Sequence, residues 1–314
     1  MTLGIKQNLG VSDAVVAVTG LVKHFGAVRA VDGIDLSVSA GDVYALLGLN
    51  GAGKTTAIRM LLGMIRPTAG DASLFGVPIR RCDGAVWART GYLVETTSAY
   101  PDLTVAENLA VAAKLRRLPG ARARVDEAIG RLGLGPYADR RADHLSLGNA
   151  QRLGLAKALI HDPRLLILDE PANGLDPAGV VEIRHLLAEL AVKGTAILMS
   201  SHILAEVARL ATRIGVIHEG RMVAELSTVE LDARIRRWLE VGARDLPAAA
   251  RALRDAGHEV TVGDGGLVLD GREAVGWPER VAALLVSNGN PPTRLAVESE
   301  DLESFFLRLV GAAP

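Results

Sequence analysis

Cysteine is almost absent. The 314-residue chain has one, Cys82, so no disulfide can form within it and a reducing compartment is expected. No histidine stands near it in sequence, which argues against a Cys–His nucleophile pair. Charge of one sign is missing too: 35 basic side chains face 36 acidic ones, and nothing in that balance points to nucleic acid as a partner. No apolar run approaches the ~18 residues needed to span a bilayer. The early run Ala14-Val15-Val16-Ala17-Val18 is too short for a secretory core, lacks a basic leader and a small-residue cleavage site, and reads as a strand. A soluble, cytoplasmic chain is expected, reaching a membrane only through a partner. Internal repeats and low-complexity tracts are also missing. Apolar residues, by contrast, make up 49% of a chain with room for about two domains, which is ample for packed cores.

The most informative segment is Gly48-Leu49-Asn50-Gly51-Ala52-Gly53-Lys54-Thr55, directly behind the apolar run Val43-Tyr44-Ala45-Leu46-Leu47. A strand leading into a glycine-rich loop and then a helix is the context a phosphate loop requires. The glycines let backbone N–H groups turn toward phosphate oxygens, Lys54 reaches the β- and γ-phosphates, and Thr55 supplies a hydroxyl to Mg²⁺. Thr56 is expected to contact the nucleotide too, and in the helix that follows Ile58, Leu61, Leu62 and Ile65 repeat at i, i+3, i+4 and i+7, with its N-terminal dipole facing the same anion. The chain is expected to bind a nucleoside triphosphate.

Residues 1–12 read as a flexible tail, and 13–226 alternate strands and helices as an α/β domain does. Leu165-Leu166-Ile167-Leu168 and Ala196-Ile197-Leu198-Met199 look like buried parallel strands, with a helix from about Pro177 between them. About 87–150 reads as a helical insert rich in arginine (Arg116, Arg117, Arg122, Arg124, Arg131). The interleaved Asp126 and Glu127 make a solvated helix face the reading for that cluster. Residues 227–314 form a small accessory α+β domain. It has a helix over Pro247–Ala256 and a hairpin of Val260-Thr261-Val262 with Leu267-Val268-Leu269. Another helix carries Val281, Leu284 and Leu285, and a strand follows Pro291-Pro292. The last helix has Leu302, Phe305, Phe306 and Leu309 on one face, a stripe that closes the small domain's core or also braces a partner.

Leu165–Leu168 ends in Asp169-Glu170. An acidic residue at the end of a buried strand is the metal-holding partner of a phosphate loop, which assigns Mg²⁺ to Asp169, directly or through water. Glu170, one step further out, is placed as general base for the water attacking the γ-phosphate.

Leu145-Ser146-Leu147-Gly148-Asn149-Ala150-Gln151-Arg152 narrows the class. Here the chain resembles the nucleotide-binding subunits of ATP-binding cassette (ABC) transporters, whose signature reads Leu-Ser-Gly-Gly-Gln before a helix. Ser146 and Gly148 match; Leu147 and Asn149 depart. The resemblance implies an α/β P-loop NTPase cassette with an inserted helical subdomain. It also implies that Ser146, Gly148 and Asn149 grip the γ-phosphate bound to the phosphate loop of a second copy, in a nucleotide-sandwich dimer. Phe25 resembles the aromatic that stacks on adenine. Asp176 resembles the residue signalling between the two sites, and His202 the switch histidine at the γ-phosphate. Glu95 stands where most of the family has a glutamine touching Mg²⁺ and coupling to the membrane subunit. Glu95, Tyr100-Pro101-Asp102-Leu103-Thr104 and the Leu-Ser-Leu-Gly form look like the exporter branch serving bacitracin, lantibiotic and anthracycline-type drugs. This motif similarity covers residues 21–220; Glu300–Phe306 resembles that branch's closing helix more loosely.

The resemblance therefore implies an ATP-hydrolysing subunit that drives efflux through a separately encoded membrane permease at the inner face of the membrane. A soluble cassette ATPase acting on ribosomes or DNA is the alternative; those usually carry two cassettes or long coiled-coil inserts, and this chain has one phosphate loop and no sustained heptads. An importer subunit is the other, usually with a C-terminal barrel richer in short strands than this tail. The cargo is set largely by the membrane subunit, which this chain does not include.

Overall fold

Strands apolar throughout gather at the centre of one sheet, and two long antiparallel strands with a single apolar row begin another. The computed structural model describes residues 14–94, 99–203, 207–263 and 265–311. Strand β1 (Ala14–Phe25) buries Val16, Val18 and Leu21, while β2 (Val28–Ser39) buries Val31, Ile34, Leu36 and Val38. They pair antiparallel and, with β4 (Ala69–Leu74) and β5 (Val77–Pro78), form a sheet of order β2-β1-β4-β5. By contrast β3 (Val43–Leu47), β7 (Leu165–Leu168) and β8 (Ala196–Ser201) are buried at every residue, as strands covered on both faces must be.

With β6 (Thr90–Leu93), β9 (Arg213–His218) and β10 (Arg221–Ser227), these three build a second sheet of order β10-β9-β3-β8-β7-β6. All its pairings are parallel except that of β9 with β10. One core joins the two sheets: Val18, Ile34 and Leu36 meet Tyr44, Leu46, Ile167 and Leu198, together with Ile58 and Leu61 of helix α1 (Lys54–Leu61). The α/β cassette core expected from the sequence is present, and Gly48–Thr55, Asp169-Glu170 and His202 follow the ends of its parallel strands β3, β7 and β8.

The helical insert differs from expectation at both ends. After the one-turn helix α2 (Gly84–Trp87) the chain enters β6, which pairs with β7 inside the main sheet, so 87–94 is not helical insert. The sequence hides this strand because it has four residues and contains a glycine. Gly91 is required there: a Cβ would lie 2.1 Å from the Ala158 carbonyl oxygen. Helices α3 (Val105–Leu115) and α4 (Ala121–Arg131) follow, α3 opening with a reciprocal cap between Thr104 and Glu107. Helix α5 (Leu147–Leu159) then runs beyond residue 150. The arginines also divide. Arg117 and Arg122 are exposed, whereas Arg116 turns inward and donates to the carbonyl oxygens of Trp87 (3.2 Å) and Thr90 (3.3 Å). Arg116 thus fastens the insert to the sheet edge and is not part of a solvated face. Helix α6 (Pro177–Val192) begins where Pro177 predicts, with Asp176 accepting from the Gly179 N–H at 3.0 Å.

The chain divides between Thr228 and Val229, within helix α7 (Thr228–Arg234) and two residues past the boundary expected at 226/227. The second unit runs β11 (Arg237–Ala243), α8 (Leu246–Asp255), β12 (Thr261–Gly263), β13 (Gly266–Leu269), α9 (Arg272–Gly276), α10 (Pro278–Ser287), β14 (Pro292–Ser299) and α11 (Leu302–Leu309). Its sheet order is β12-β13-β11-β14, antiparallel throughout. This is the β-α-β-β-α-β split arrangement of ferredoxin-like folds. Leu239, Val241, Leu253, Leu267, Leu269, Val281 and Leu285 fill its core. Phe305 and Phe306 of α11 are buried, and Arg308 ties that helix to Glu300 at 2.7 Å. The expected tail over residues 1–12 and Asp264 in the hairpin turn lie outside the described residues.

Candidate nucleotide site

The loop after β3 is shaped by close approach. A Cβ on Gly48 would sit 2.4 Å from the Ile217 carbonyl oxygen, and one on Gly53, at φ +108°, 2.3 Å from that of Ala30. No other residue fits either position, which is why the glycines fall where the motif places them. Lys54 is buried at the first turn of α1. Its ammonium donates to the carbonyl oxygens of Gly48 (2.6 Å) and Leu49 (3.2 Å) and stands 3.4 Å from Glu170 Oε1. Leu49, Asn50 and Gly51 are exposed at the rim, Ala52 is buried beneath them, and Thr55 and Thr56 are half-buried along the helix start.

Strand β7 delivers its two carboxylates to the same place. Asp169 is 5% exposed, and its Oδ2 accepts from the Thr55 hydroxyl at 2.8 Å. Glu170 has φ +49°, a left-handed conformation an L-residue adopts only when its surroundings enforce it. Its Oε2 lies 2.8 Å from His202 Nδ1. One carboxylate is therefore held between the phosphate-loop lysine and the histidine that follows β8. Lys54, Thr55, Asp169, Glu170 and His202, separate in sequence, form one cluster. Thr55 and Asp169 suit Mg²⁺: one hydroxyl and one carboxylate, already in contact, leave the rest of an octahedral shell to phosphate and water. Glu95, the third residue assigned to metal, lies outside the described residues.

The signature residues gather elsewhere. Ser146 caps α5, its hydroxyl accepting from the Asn149 N–H at 3.3 Å. Among the described residues none of Ser146, Gly148 or Asn149 hydrogen-bonds to Lys54 or Thr55; their surroundings include the loop of residues 170–176. Gln151 reaches that loop, donating to the carbonyl oxygens of Glu170 and Pro171 at 3.1 Å each. Leu147, the first departure from the family signature, lies over Gly174: a Cβ there, at φ +76°, would meet its Cγ at 2.5 Å. Gly174→Ala is therefore expected to destabilise the cassette by roughly 1–3 kcal/mol, with Leu147→Gly in the same chain restoring the steric part of the loss. Denaturant unfolding of the single and double variants measures that coupling. Phe25 is 50% exposed, so it is not a core residue, and the Lys23 ammonium stands 4.9 Å from its ring centroid. Its flat face is available for stacking.

Two further residues, given no role of their own by the motifs, belong to this site. Ser200, buried at the end of β8, donates to Asp169 Oδ1 at 2.6 Å and accepts from the Glu170 N–H at 2.9 Å. Gln151 was visible only as part of the signature. The sequence signal for Ser200 is the pair of small hydroxyls, Ser200 and Ser201, at the end of an otherwise apolar buried strand.

A family model described as "ABC transporter" matches residues 31–173. The bacitracin transport ATP-binding protein BcrA of Enterococcus faecalis is 40% identical over 305 residues, covering 96% of this chain and 98% of the relative. The daunorubicin/doxorubicin resistance ATP-binding protein DrrA of Streptomyces peucetius is 39% identical over 247 residues, covering 78% and 75%. Among solved structures, the dimeric post-hydrolysis ATP-binding cassette MJ0796 bound to ADP and Pi superposes with TM-score 0.63 at 22% identity, over 68% of this chain and 98% of that one. A strand-borne carboxylate pair set against a phosphate-loop lysine, in a chain 40% identical to BcrA over nearly its whole length, places this protein in the ABC transporter ATP-binding family.

Proposed function

We propose that this chain is the ATP-hydrolysing subunit of an ABC exporter, working as a pair of identical cassettes on a separately encoded membrane permease at the inner face of the membrane. The observation that carries the reading is the Glu170 carboxylate held between Lys54 and His202, beside the Thr55–Asp169 pair. Incoming phosphates draw the Lys54 ammonium away from the Gly48 and Leu49 carbonyls. Glu170, released from Lys54, takes the proton of the attacking water, and His202 orients the γ-phosphate. Thr55 and Asp169, with Glu95 as a further ligand, would hold Mg²⁺, which would supply positive charge to the nucleotide's phosphates. Phe25 stacks on adenine. The cap formed by exposed Ser146 with half-buried Gly148 and Asn149 closes over the nucleotide of the second copy, with a helix N-terminus facing anionic phosphate, and Asp176 relays between the two sites. The relatives named for bacitracin transport and daunorubicin resistance support export as the direction.

The permease has a place to dock. Met64, Tyr92, Tyr100 and Leu115, all 45% exposed or more, surround a cavity of about 640 Å³ floored by Gly154 and Asn108. An exposed apolar patch of this kind marks an interaction surface. Val94 and Ala99 both line it, and the chain between them holds Glu95. The tagged protein is expected to co-purify with a multi-spanning membrane protein. Leu115→Glu should break that complex while leaving ATP affinity of the isolated subunit unchanged. Pelleting with ribosomes, or recovery with a soluble partner alone, would overturn the exporter reading. Among the described residues no helix is long and apolar enough to cross a membrane.

A further inference from the structure

Ser200 lies where strands β7 and β8 end side by side: Leu168 pairs with Met199, which brings the next residue of each strand, Asp169 and Ser200, together. Its side chain is fully buried. A serine hydroxyl has one proton to give and lone pairs to receive, and here both are used at the carboxylate pair. The proton goes to Asp169 Oδ1 at 2.6 Å, a length typical of a charge-assisted bond. The oxygen accepts the Glu170 N–H at 2.9 Å. We propose that Ser200 is a positioning residue for ATP hydrolysis, setting the metal-binding carboxylate and the catalytic carboxylate with a single hydroxyl.

Two consequences follow from the geometry. With Oδ1 engaged by Ser200, the oxygen of Asp169 that faces Thr55 is Oδ2, and the carboxylate plane cannot rotate away from that hydroxyl. On the other side, Glu170 sits at φ +49°, and its N–H is pinned at the start of that strained turn. Gln151 holds the carbonyl end of the same residue at 3.1 Å. The peptide groups on both sides of Glu170 are thus anchored, which keeps its side chain between Lys54 and His202. The chain Glu170 N–H to Ser200 O–H to Asp169 carboxylate also polarises in one direction, so each bond strengthens the next.

The inference rests on the ATPase reading above, and the test separates the two. In the full-length protein, Ser200→Ala is expected to lower kcat roughly 10–100-fold, the range for lost outer-shell support of a metal ligand, with KM for ATP close to wild type. The Mg²⁺ concentration giving half-maximal binding of a fluorescent ATP analogue should rise over the same range, while Mg²⁺-free binding of the analogue stays unchanged. Ser200→Thr, which keeps the hydroxyl, should recover most of both. Ser200→Cys, close in volume and a weak donor, should fall between, and it supplies the measurement if the alanine variant does not fold. A purely structural role for Ser200 predicts a lower melting temperature with kcat per folded molecule and Mg²⁺ dependence at wild-type values, and that result overturns the proposal. A wild-type protein that binds Mg²⁺-ATP but does not hydrolyse it, alone or with its permease, would instead overturn the ATPase reading.

Discussion

Glu170→Gln is expected to leave ATP binding intact and to lower turnover by roughly 10²–10⁴-fold, the usual contribution of a positioned general base. The amide has the shape of the carboxylate and can still occupy the position 2.8 Å from His202 Nδ1, so the site stays assembled while its proton acceptor is lost. Because hydrolysis reopens the paired cassettes in the proposed cycle, the variant should also accumulate as an ATP-bound dimer. Size-exclusion chromatography with and without ATP reads the dimer, and phosphate release reads turnover. If the purified variant turned over at the wild-type rate, the base would have to be assigned elsewhere, with His202 and Glu95 next in line.

Lys54→Ala should act one step earlier. The Lys54 side chain is 6% exposed, and its ammonium makes two hydrogen bonds to loop carbonyls besides facing Glu170. In the nucleotide complex those charge-assisted bonds pass to the phosphates, each contributing about 1.5–3 kcal/mol. Removing two of them should weaken ATP binding by roughly 10²–10⁴-fold, and calorimetric titration measures the change directly. The two variants therefore separate on binding: Glu170→Gln retains nucleotide and Lys54→Ala does not. An unchanged affinity in the lysine variant would show that Gly48–Thr55 is not the phosphate loop.

The parts of this protein legible from sequence are those where a local rule admits few alternatives. Five apolar residues in a row before a glycine-rich turn and an amphipathic helix admit little besides a buried strand feeding a phosphate loop. The steric need for glycine at 48 and 53 is written into the motif itself. Asp169 and Glu170 were legible for the same reason: charge at the end of a buried strand needs a use. Asp176-Pro177 marked the start of α6, because Pro suits the first turn and Asp the cap. The runs around Leu267 and Leu285 likewise marked an α+β tail, while β11, the strand that pairs with both β13 and β14, is not among the elements the sequence marks.

What the tertiary structure alone decided depends on pairing across long sequence distances. β6 is four residues long with a glycine inside, and only its place beside β7 makes it a strand. Arg116 belonged by composition to a charged helix face, yet two carbonyls at the sheet edge draw it inward. The ferredoxin-like order of the small sheet comes from which strands pair, a choice that hydrophobic alternation does not encode. Ser200 shows the difference most directly. Its composition and position suit any buried strand end, and its meaning comes from Asp169 and Glu170, some thirty residues earlier in the chain, being brought within hydrogen-bond reach. Sequence determined which groups could do the chemistry, because each type carries its own valence and charge. The fold decided which of them meet, because hydrogen bonds and ion pairs act over about 3 Å and only packing sets that distance.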